Sequence, residues 1–507
     1  MDIHWNLGTK KPQKKSMNIL GISAGFHDAA ISVVSPMGDI LFAGHSERYS
    51  KIKNDPTLHP QLIREAMSHG HSTVAWYERP WMRNIQQWRS GQKNYGPWTV
   101  DGTLREYLGE FYQPKYHHCF SHHLSHAAAG FQTSPFNTAA VVVIDAIGEL
   151  DTISIYRASY DDQGRAYYEW MWGQKYPHSI GLFYSAITQA VGLKPMDEEY
   201  ITMGMAAYGS SFGTAYLMDK VVTDPEEIKL YKNLHIGFDD EEMRDISNEN
   251  LAAAAQGVAE ILIMNVMRRA RNITGCENLV YMGGVALNCV ANSRLGQIFD
   301  RIWIMPNPGD AGSSLGAAAL AYGKKLNWKN AYLGHNIGGE YPVKALLDEL
   351  ITRKIVGVAS GRAEFGPRAL GNRSLLADPR GHDIKDRVNE IKRRQKFRPF
   401  APVILEEVAH EYFDFGPGWD TCRYMQSVAS CKFPDLYPAI CHVDGTSRVQ
   451  TVPRDDSGIR RLLEQWYLLT GCPMLLNTSL NIRGEPMVDD RSDADRFEKL
   501  YGVRVCS

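Results

Sequence analysis

The sequence predicts an α/β protein of more than one domain, and three observations predict it. Strand-like and helix-like stretches alternate through the first two thirds of the chain. A strand, acidic turn, strand unit occurs twice, about a hundred residues apart. The chain has 507 residues, too many for one hydrophobic core.

The elements follow in order. Residues 1–16 are polar and lysine-bearing and read as a disordered tail, with Met17 just ahead of the first strand. Asn18–Ser23 is a short apolar strand, Ala24–Asp28 a turn and Ala29–Val34 a second strand. Met37-Gly38-Asp39 then turns the chain into Ile40–Ala43, completing a meander. The unit returns as strand Ala139–Ile144, acidic turn Asp145–Asp151 and strand Thr152–Tyr156, which predicts two related halves facing a cleft. Leu251–Ile273 is the longest helical stretch. Strand Asn278–Met282 runs into Gly283-Gly284 and a helix from Asn288 to Asn292. Strand Arg301–Met305 leads to Pro306-Asn307-Pro308-Gly309-Asp310, and Gly312–Gly323 is a helix of small residues. A boundary is expected within 325–350, giving parts 17–340 and 341–507; beyond it strands are short, and arginine and proline are frequent.

Composition narrows the partners. The net charge of −2 leaves no general basic field, so no nucleic acid is expected. No run approaches the ~18–20 apolar residues of a membrane span. No Cys-x-x-Cys occurs among the eight cysteines, which argues against a zinc ribbon. No secretory signal opens the sequence, so a cytoplasmic protein with free thiols is expected.

Two clusters carry chemistry. Gly361–Ser374 holds three arginines and three glycines in fourteen residues. Glycine lets backbone N–H groups approach a ligand, and arginine forks onto phosphate or carboxylate. The motif, with Arg368 and Arg373, reads as an oxyanion site. Three further cationic segments join it: Asn389–Pro402 with Lys392 and Arg398, His442–Arg448 with Arg448, and Asn477–Pro486 with Asn477 and Arg483. Arg393, Arg394 and Lys396 read as a solvated helix face, whereas Arg398 is locked between Phe397 and Pro399. Salt-bridged surface turns are the plainer alternative.

The second cluster is Tyr116–Ala129, with five histidines in ten residues. With Ser121 as N-cap, a helix from His122 sets His122 and His126 one turn apart on one face, a chelating spacing. A surface histidine run is the alternative. Asp145 and Asp310 each end an apolar strand at a cleft-facing turn, and two histidines with two carboxylates lean toward Fe2+ or Mn2+ over structural zinc, with Mg2+ possible through phosphate bridging. Gly283 and Gly284, followed by Asn288, suit phosphate at a helix start, as does Gly309 beside Asp310; a plain tight turn explains Gly283-Gly284 as well. His27, beside Asp28, is either a proton acceptor for a hydroxyl or a hydrogen-bonding turn residue.

Together these motifs resemble the NodU/CmcH carbamoyltransferases, from Ile19 to about Val488. The carriers are Gly25–Ala30, His122–Ala128, Met282–Asn288, Gly366–Arg373 with Leu376–Arg380, Phe397–Pro402, His442–Arg448 and Leu476–Pro486. The chain departs from the family pattern at Ile201-Thr202 and Ala206-Ala207. The resemblance implies an actin-like, duplicated N-terminal domain and a C-terminal YrdC-like domain. It implies that carbamoyl phosphate and ATP give carbamoyl-adenylate, whose carbamoyl group passes to a small-molecule hydroxyl. It places a divalent metal, Fe2+ first, on His122, His126, Asp145 and Asp310, and the transfer histidine at His27. It places the carbamoyl phosphate and ATP side on Arg368, Lys392, Arg398, Arg448, Asn477 and Arg483, and it implies a homodimer. The rival readings are an actin-like small-molecule kinase, which would release ADP, and a nucleotide-binding regulator without turnover. Acceptor choice is expected from Thr57–Tyr112 and Ser210–Asn250.

Overall fold

Two five-stranded sheets share one connectivity. In the first, the order is Ile40–His45, Ala30–Val34, Ile19–Ser23, Thr73–Trp76, Tyr116–Cys119. In the second it is Ala166–Lys175, Asp151–Tyr160, Thr138–Gly148, Asn278–Met282, Arg301–Trp303. Each begins as an antiparallel three-stranded meander and continues through two parallel crossovers. The predicted duplication is present. This computed structural model describes residues 18–89, 95–113, 116–238, 241, 246–419 and 421–507. The expected tail at 1–16, Met17 and parts of both acceptor segments lie outside the described residues.

Sequence explains the central layer. The helices His122–Phe131 and Ser313–Tyr322 lie between the two sheets and pack closely, a β-carbon on Gly316 standing 1.7 Å from the Ser125 carbonyl oxygen, with Ala127–Ala129 and Ala317–Ala319 all buried. Small side chains let the two backbones approach, which brings the C-terminal ends of both sets of strands to one cleft. The long helix is Asn248–Thr274, capped by the Ser247 hydroxyl and ended by Gly275 in the left-handed region. Among the described residues it is the one helix long and apolar enough to cross a membrane, and 78% of that window is buried inside the protein as core.

Residues 355–506 build a third, mixed sheet: Gln450–Val452, Ala401–Leu405, Met474–Ser479, Arg373–Ala377, Ile355–Ala359, Val505–Cys506. Alternation along these strands feeds two cores. Val356, Val358 and Leu376 meet the helices Val343–Arg353 and Gly458–Thr470. Ile355, Leu375 and Ala377 meet Ile384–Ile391 and Arg491–Tyr501. The chain is therefore α/β throughout. A two-stranded ribbon, Tyr332–Asn336 with Arg362–Glu364, joins this part to strand Ile40–His45.

Candidate metal centre and anion cleft

The candidate metal centre is built where four elements end. Helix His122–Phe131 begins after Ser121, as the sequence predicts, although the Ser121 hydroxyl makes no capping bond. His122 and His126 then point the same way from successive turns. Strand Thr138–Gly148 breaks register between Ile144 and Gly148, and Asp145 emerges at that irregularity. Asp310 opens the short turn Asp310–Gly312. All four side chains are buried, and their donor atoms lie within 4.8 Å of one another.

The distances fit a small cation. His122 Nε2 is 3.3 Å from both Asp145 Oδ2 and Asp310 Oδ1. His126 Nε2 is 3.4 Å and 3.2 Å from the same atoms, and 3.1 Å from His122 Nε2. Four donors each ~2.0–2.1 Å from one centre at tetrahedral angles stand about 3.3 Å apart. The outer contacts aim them. His126 Nδ1 donates to the Pro308 carbonyl at 3.0 Å, turning the Nε2 lone pair inward. Asp145 Oδ1 accepts from Ala146 N at 2.9 Å and Gly284 N at 3.2 Å, leaving Oδ2 for the centre. Burial pulls His122 and His126 down, but the Asp145 and Asp310 carboxylates outweigh it and raise both. Burial pushes Asp145 and Asp310 up, and the two imidazoles more than reverse that. The cluster can hold a metal by charge and geometry alike.

The rest of the histidine run divides. His123 bonds Ser154 Oγ at 2.8 Å and belongs to the core. His117 and His118 lie on the exposed edge strand Tyr116–Cys119. A surface-run reading therefore fails for His122 and His126, which are 3% and 0% exposed.

His27 sits at the rim. Its Nε2 is 3.9 Å from Asp310 Oδ2 and its Nδ1 3.2 Å from Asp28 Oδ2. Burial lowers its pKa, but the Asp28 hydrogen bond and the charges of Asp310, Asp28 and Asp145 carry it up to about 9. Asp28 holds a left-handed backbone (φ 54°), a cost of about 1–3 kcal/mol that the surrounding turn sustains.

Gly283 and Gly284 serve this centre. Gly283 has φ 92°, and a β-carbon there would stand 2.2 Å from the Ile144 carbonyl oxygen. Its N–H goes to Pro308 O at 2.9 Å, while that of Gly284 goes to Asp145. These N–H groups are engaged by the loops of the candidate centre. Asn288 is likewise committed: it pairs with Gln256 at 3.0 and 3.1 Å and caps Ala291 N. Gly309 accepts from Gly312 N and leaves open space beside its α-carbon.

The anion cleft is of another kind. Arg368, Arg398 and Arg448 converge without an ion pair among the described residues. Burial first, then Arg448 and Arg398, lowers the Arg368 guanidinium to about 9. Burial, Arg483 and Arg448 also lower Arg398, against Tyr200, which raises it. Arg448 Nε is buried without a partner. Asn477 donates to Ala369 O and Gln450 Oε1, leaving its own buried Oδ1 unpartnered. Arg483 reaches across to Glu198 at 2.9 Å.

Three expectations need correction here. Arg373 is fully buried, and its guanidinium donates to carbonyls of Asp489, Ser360, Gly361, Asn372 and His335. It braces the loop from inside. Lys392 Nζ is wrapped by Ser479 and Asn481 oxygens at 2.5–3.2 Å and is likewise internal. Arg394 is not on a solvated face: it stacks 4.2 Å from the Phe400 ring centre. Three of the loop N–H groups are also spoken for. Glu364 Oε1 accepts from Leu370, Asn372 and Arg373 N at 2.8–3.2 Å. Glu364 was missed because an acid inside a basic motif reads as charge dilution.

The two clefts share a wall. A β-carbon on Gly366 would stand 2.7 Å from the Pro306 carbonyl oxygen, so the arginine loop rests on the loop that ends in Asp310. One segment grips both: His45 Nε2 meets Asn307 Nδ2 at 3.1 Å, and Arg48 Nη2 donates to Gly366 O at 3.1 Å.

An acid–histidine cluster abutting a guanidinium cleft, on duplicated α/β sheets, is the layout of a candidate group-transfer enzyme. Sequence comparison supplies the group. The family profile described as Carbamoyltransferase N-terminus matches residues 111–319, and that described as Carbamoyltransferase C-terminus matches residues 347–505. Nodulation protein NolNO of Sinorhizobium fredii is 30% identical over 92% of this chain and 76% of its own. Nodulation protein NolO of Bradyrhizobium diazoefficiens is 32% identical over 74% and 75%. An uncharacterized Synechocystis protein is 31% identical over 94% of each chain. Among solved structures, full-length HypF aligns over 60% of this chain and 55% of its own, at 11% identity and TM-score 0.37. The chain belongs to the carbamoyltransferase family, of the NodU/CmcH type, and is a carbamoyltransferase.

Proposed function

We propose that this enzyme is an ATP-dependent O-carbamoyltransferase that works in two steps on one chain. Residues 341–507 form the activating, YrdC-like part and residues 17–340 the actin-like, transferring part. Carbamoyl phosphate and ATP enter the guanidinium cleft, where Arg368, Arg398 and Arg448 offset their phosphate charge. Water releases orthophosphate from carbamoyl phosphate, and the carbamate oxygen attacks the α-phosphorus of ATP, expelling pyrophosphate. The product is carbamoyl-adenylate. An acceptor hydroxyl then attacks the carbamoyl carbon, AMP leaves, and His27 takes the hydroxyl proton.

His122, His126, Asp145 and Asp310 would hold a divalent metal, Fe2+ by preference over Mn2+ or Mg2+. When bound, such an ion supplies Lewis-acid stabilisation of phosphate charge. Its charge also offsets the Asp310 and Asp145 carboxylates that keep His27 protonated, which a proton acceptor requires. The acceptor is a small molecule or sugar-containing metabolite in the cytoplasm, with no nucleic acid or membrane partner, and the enzyme works as a homodimer.

The shared wall between Gly366 and Pro306 carries this reading. A labile mixed anhydride made at one cleft is already beside the other, with little exposure to water. The test is direct. With ATP, carbamoyl phosphate and a panel of alcohols, AMP and pyrophosphate appear with a product heavier by about 43 Da, one carbamoyl replacing hydrogen. Arg448→Ala stops pyrophosphate release; His27→Asn preserves it and blocks transfer. Release of ADP instead would make the enzyme a kinase and end the proposal.

A further inference from the structure

Two cysteines meet at the foot of one of the cationic turns, and neither step above uses them. Cys431 ends the strand Ala429–Cys431, which pairs antiparallel with Thr446–Ser447. The Cys431 N–H donates to Gly445 O at 2.9 Å. Cys441 enters the same hairpin from its other arm. His442 N–H donates to Thr446 O at 2.8 Å, Gly445 N–H to His442 O at 3.0 Å, and the Ser447 hydroxyl to Ile440 O at 2.7 Å. The nine residues between the cysteines are anchored, with Tyr437, Ala439 and Ile440 in the core and Lys432 N–H on Tyr412 O at 2.9 Å. This frame brings the two side chains together, and the Cys441 thiol donates a hydrogen bond to Cys431 Sγ. Sulfurs in such contact have about 2 Å to close before bonding.

The pair is unlike the other thiols. All eight cysteines are free, and Cys119 and Cys431 are the two that are half-exposed. Burial and the charge of Glu149 push the Cys119 thiol up to about 11, against Arg79. Cys431 goes the other way. The hydrogen bond from Cys441, helped by one from Phe433 N–H, outweighs burial and brings it down to about 7. Cys441 is buried, and donating to Cys431 holds its own thiol well above the usual range, with Asp444 adding to this and Lys385 opposing it. The proton therefore stays on Cys441. Cys431 is about half thiolate at pH 7, where a free cysteine is a few per cent.

We propose that Cys431 and Cys441 are a hydroperoxide-reactive pair: the Cys431 sulfur takes an oxygen from a peroxide, and Cys441 then closes a disulfide across the foot of the hairpin that carries Arg448. In the first step the Cys431 sulfur attacks hydrogen peroxide. The O–O bond breaks, a sulfenic acid forms, and the departing hydroxide leaves as water with a solvent proton. In the second step the Cys441 sulfur attacks that of Cys431. The S–O bond breaks, the S–S bond forms, and the hydroxyl leaves as water with the Cys441 proton. One peroxide is reduced to two waters while two thiols are oxidised to one disulfide. A half-exposed thiolate beside a buried thiol suits this division: the first meets the oxidant and the second resolves it.

The test reads mass rather than turnover, so it stands apart from the two-step reading. The whole chain is treated with an equimolar amount of hydrogen peroxide, alkylated and digested with trypsin. Cleavage after Arg423, Lys432 and Arg448 puts the two cysteines on separate peptides, each with no other cysteine. The expected product is these two peptides joined and lighter by two hydrogens, and dithiothreitol releases them. Before any oxidant, iodoacetamide at pH 7 alkylates Cys431 at least about tenfold faster than Cys119. In Cys441→Ser the sulfenic acid has no thiol to resolve it, and dimedone labels Cys431; in Cys431→Ser no dimedone reaches Cys441. Separate, fully alkylated peptides after peroxide overturn the proposal, as does a disulfide joining either residue to a different cysteine. Equal alkylation rates at Cys431 and Cys119 overturn it as well. These measurements are made on the parent protein and decide the matter even if neither serine variant folds.

Discussion

The candidate metal centre sets two histidines against two carboxylates, whereas the anion cleft sets Arg368, Arg398 and Arg448 against one another. The first is electrostatically closed before any ligand arrives: its charges are complementary and its donors are held by a helix start, a strand irregularity and a short turn. The second is open, with burial and mutual repulsion depressing Arg368 to about 9 until an anion compensates it. The difference teaches that one site is a permanent fixture of the fold and the other stores unfavourable charge that substrate relieves. Removing one partner should therefore have opposite consequences for stability in the two places.

The largest effect is expected at the closed site. Asp310→Asn leaves His122 and His126 facing one carboxylate. Metal affinity should fall by more than the about 10–100-fold that outer contacts alone command. Elemental analysis of the purified variant and its thermal midpoint both register the change, and both should drop. Parent-like metal content would remove Asp310 from the centre. Gly283→Ala comes next. Its β-carbon would meet the Ile144 carbonyl, and the turn that aims Asp145 must shift, for a loss of about 1–3 kcal/mol by denaturant unfolding together with weaker metal retention. A Gly283→Ala protein as stable as the parent would mean that the turn merely passes the centre by.

How much of this contrast was legible in the sequence follows the same division. The closed site was readable because its ligands sit at places where local pattern is strong: an i, i+4 histidine pair after Ser121, and acids at the ends of apolar runs. Element order was readable for the same reason, although Thr138–Gly148 and Asp151–Tyr160 run longer than their apolar cores suggest, because pairing continues past the buried residues. The open site was legible only as an excess of arginine. Nothing local tells that Arg373 turns inward to five carbonyls while Arg368, five residues earlier, does not. Nor does local pattern show that Arg394 stacks on Phe400, or that Glu364 takes three of the loop N–H groups.

A smaller effect, of opposite sign, tests the open site. Arg368→Met removes one of several repelling cations from a half-buried position. Stability of the ligand-free protein should rise, by about 1 kcal/mol, while affinity for carbamoyl phosphate falls at least about tenfold. Thermal unfolding and substrate titration on one preparation report both. If Arg368→Met is destabilised as Asp310→Asn is, the two clefts are not electrostatic opposites.

The last test is a pH slope, and its sign separates the clefts again. In metal-free protein His27 titrates near 9, against about 6.5 for an unfolded histidine. The contribution of a base whose folded pKa is raised is fully present below about 6.5 and fades as pH climbs to about 9. His122 and His126, raised by the same carboxylates, add loss in the same direction. Asp310 and Asp145, held below the usual carboxylate range, contribute above about 3.9 and lose their contribution only in more acid solution. Metal-free enzyme is therefore expected to be most stable between about pH 4 and 6.5 and to weaken from there to about 9. Arg368 runs the other way: its folded pKa of about 9 lies below its usual 12.5, so its unfavourable contribution eases as pH passes 9. Metal binding displaces protons from His122 and His126, so affinity should rise over the same interval in which the metal-free protein weakens. Thermal midpoints taken from pH 6 to 9, with and without added Fe2+ or Mn2+, should diverge as pH increases, and His27→Asn should flatten part of the metal-free slope. Parallel curves would show that the carboxylates of the closed site do not act on His27.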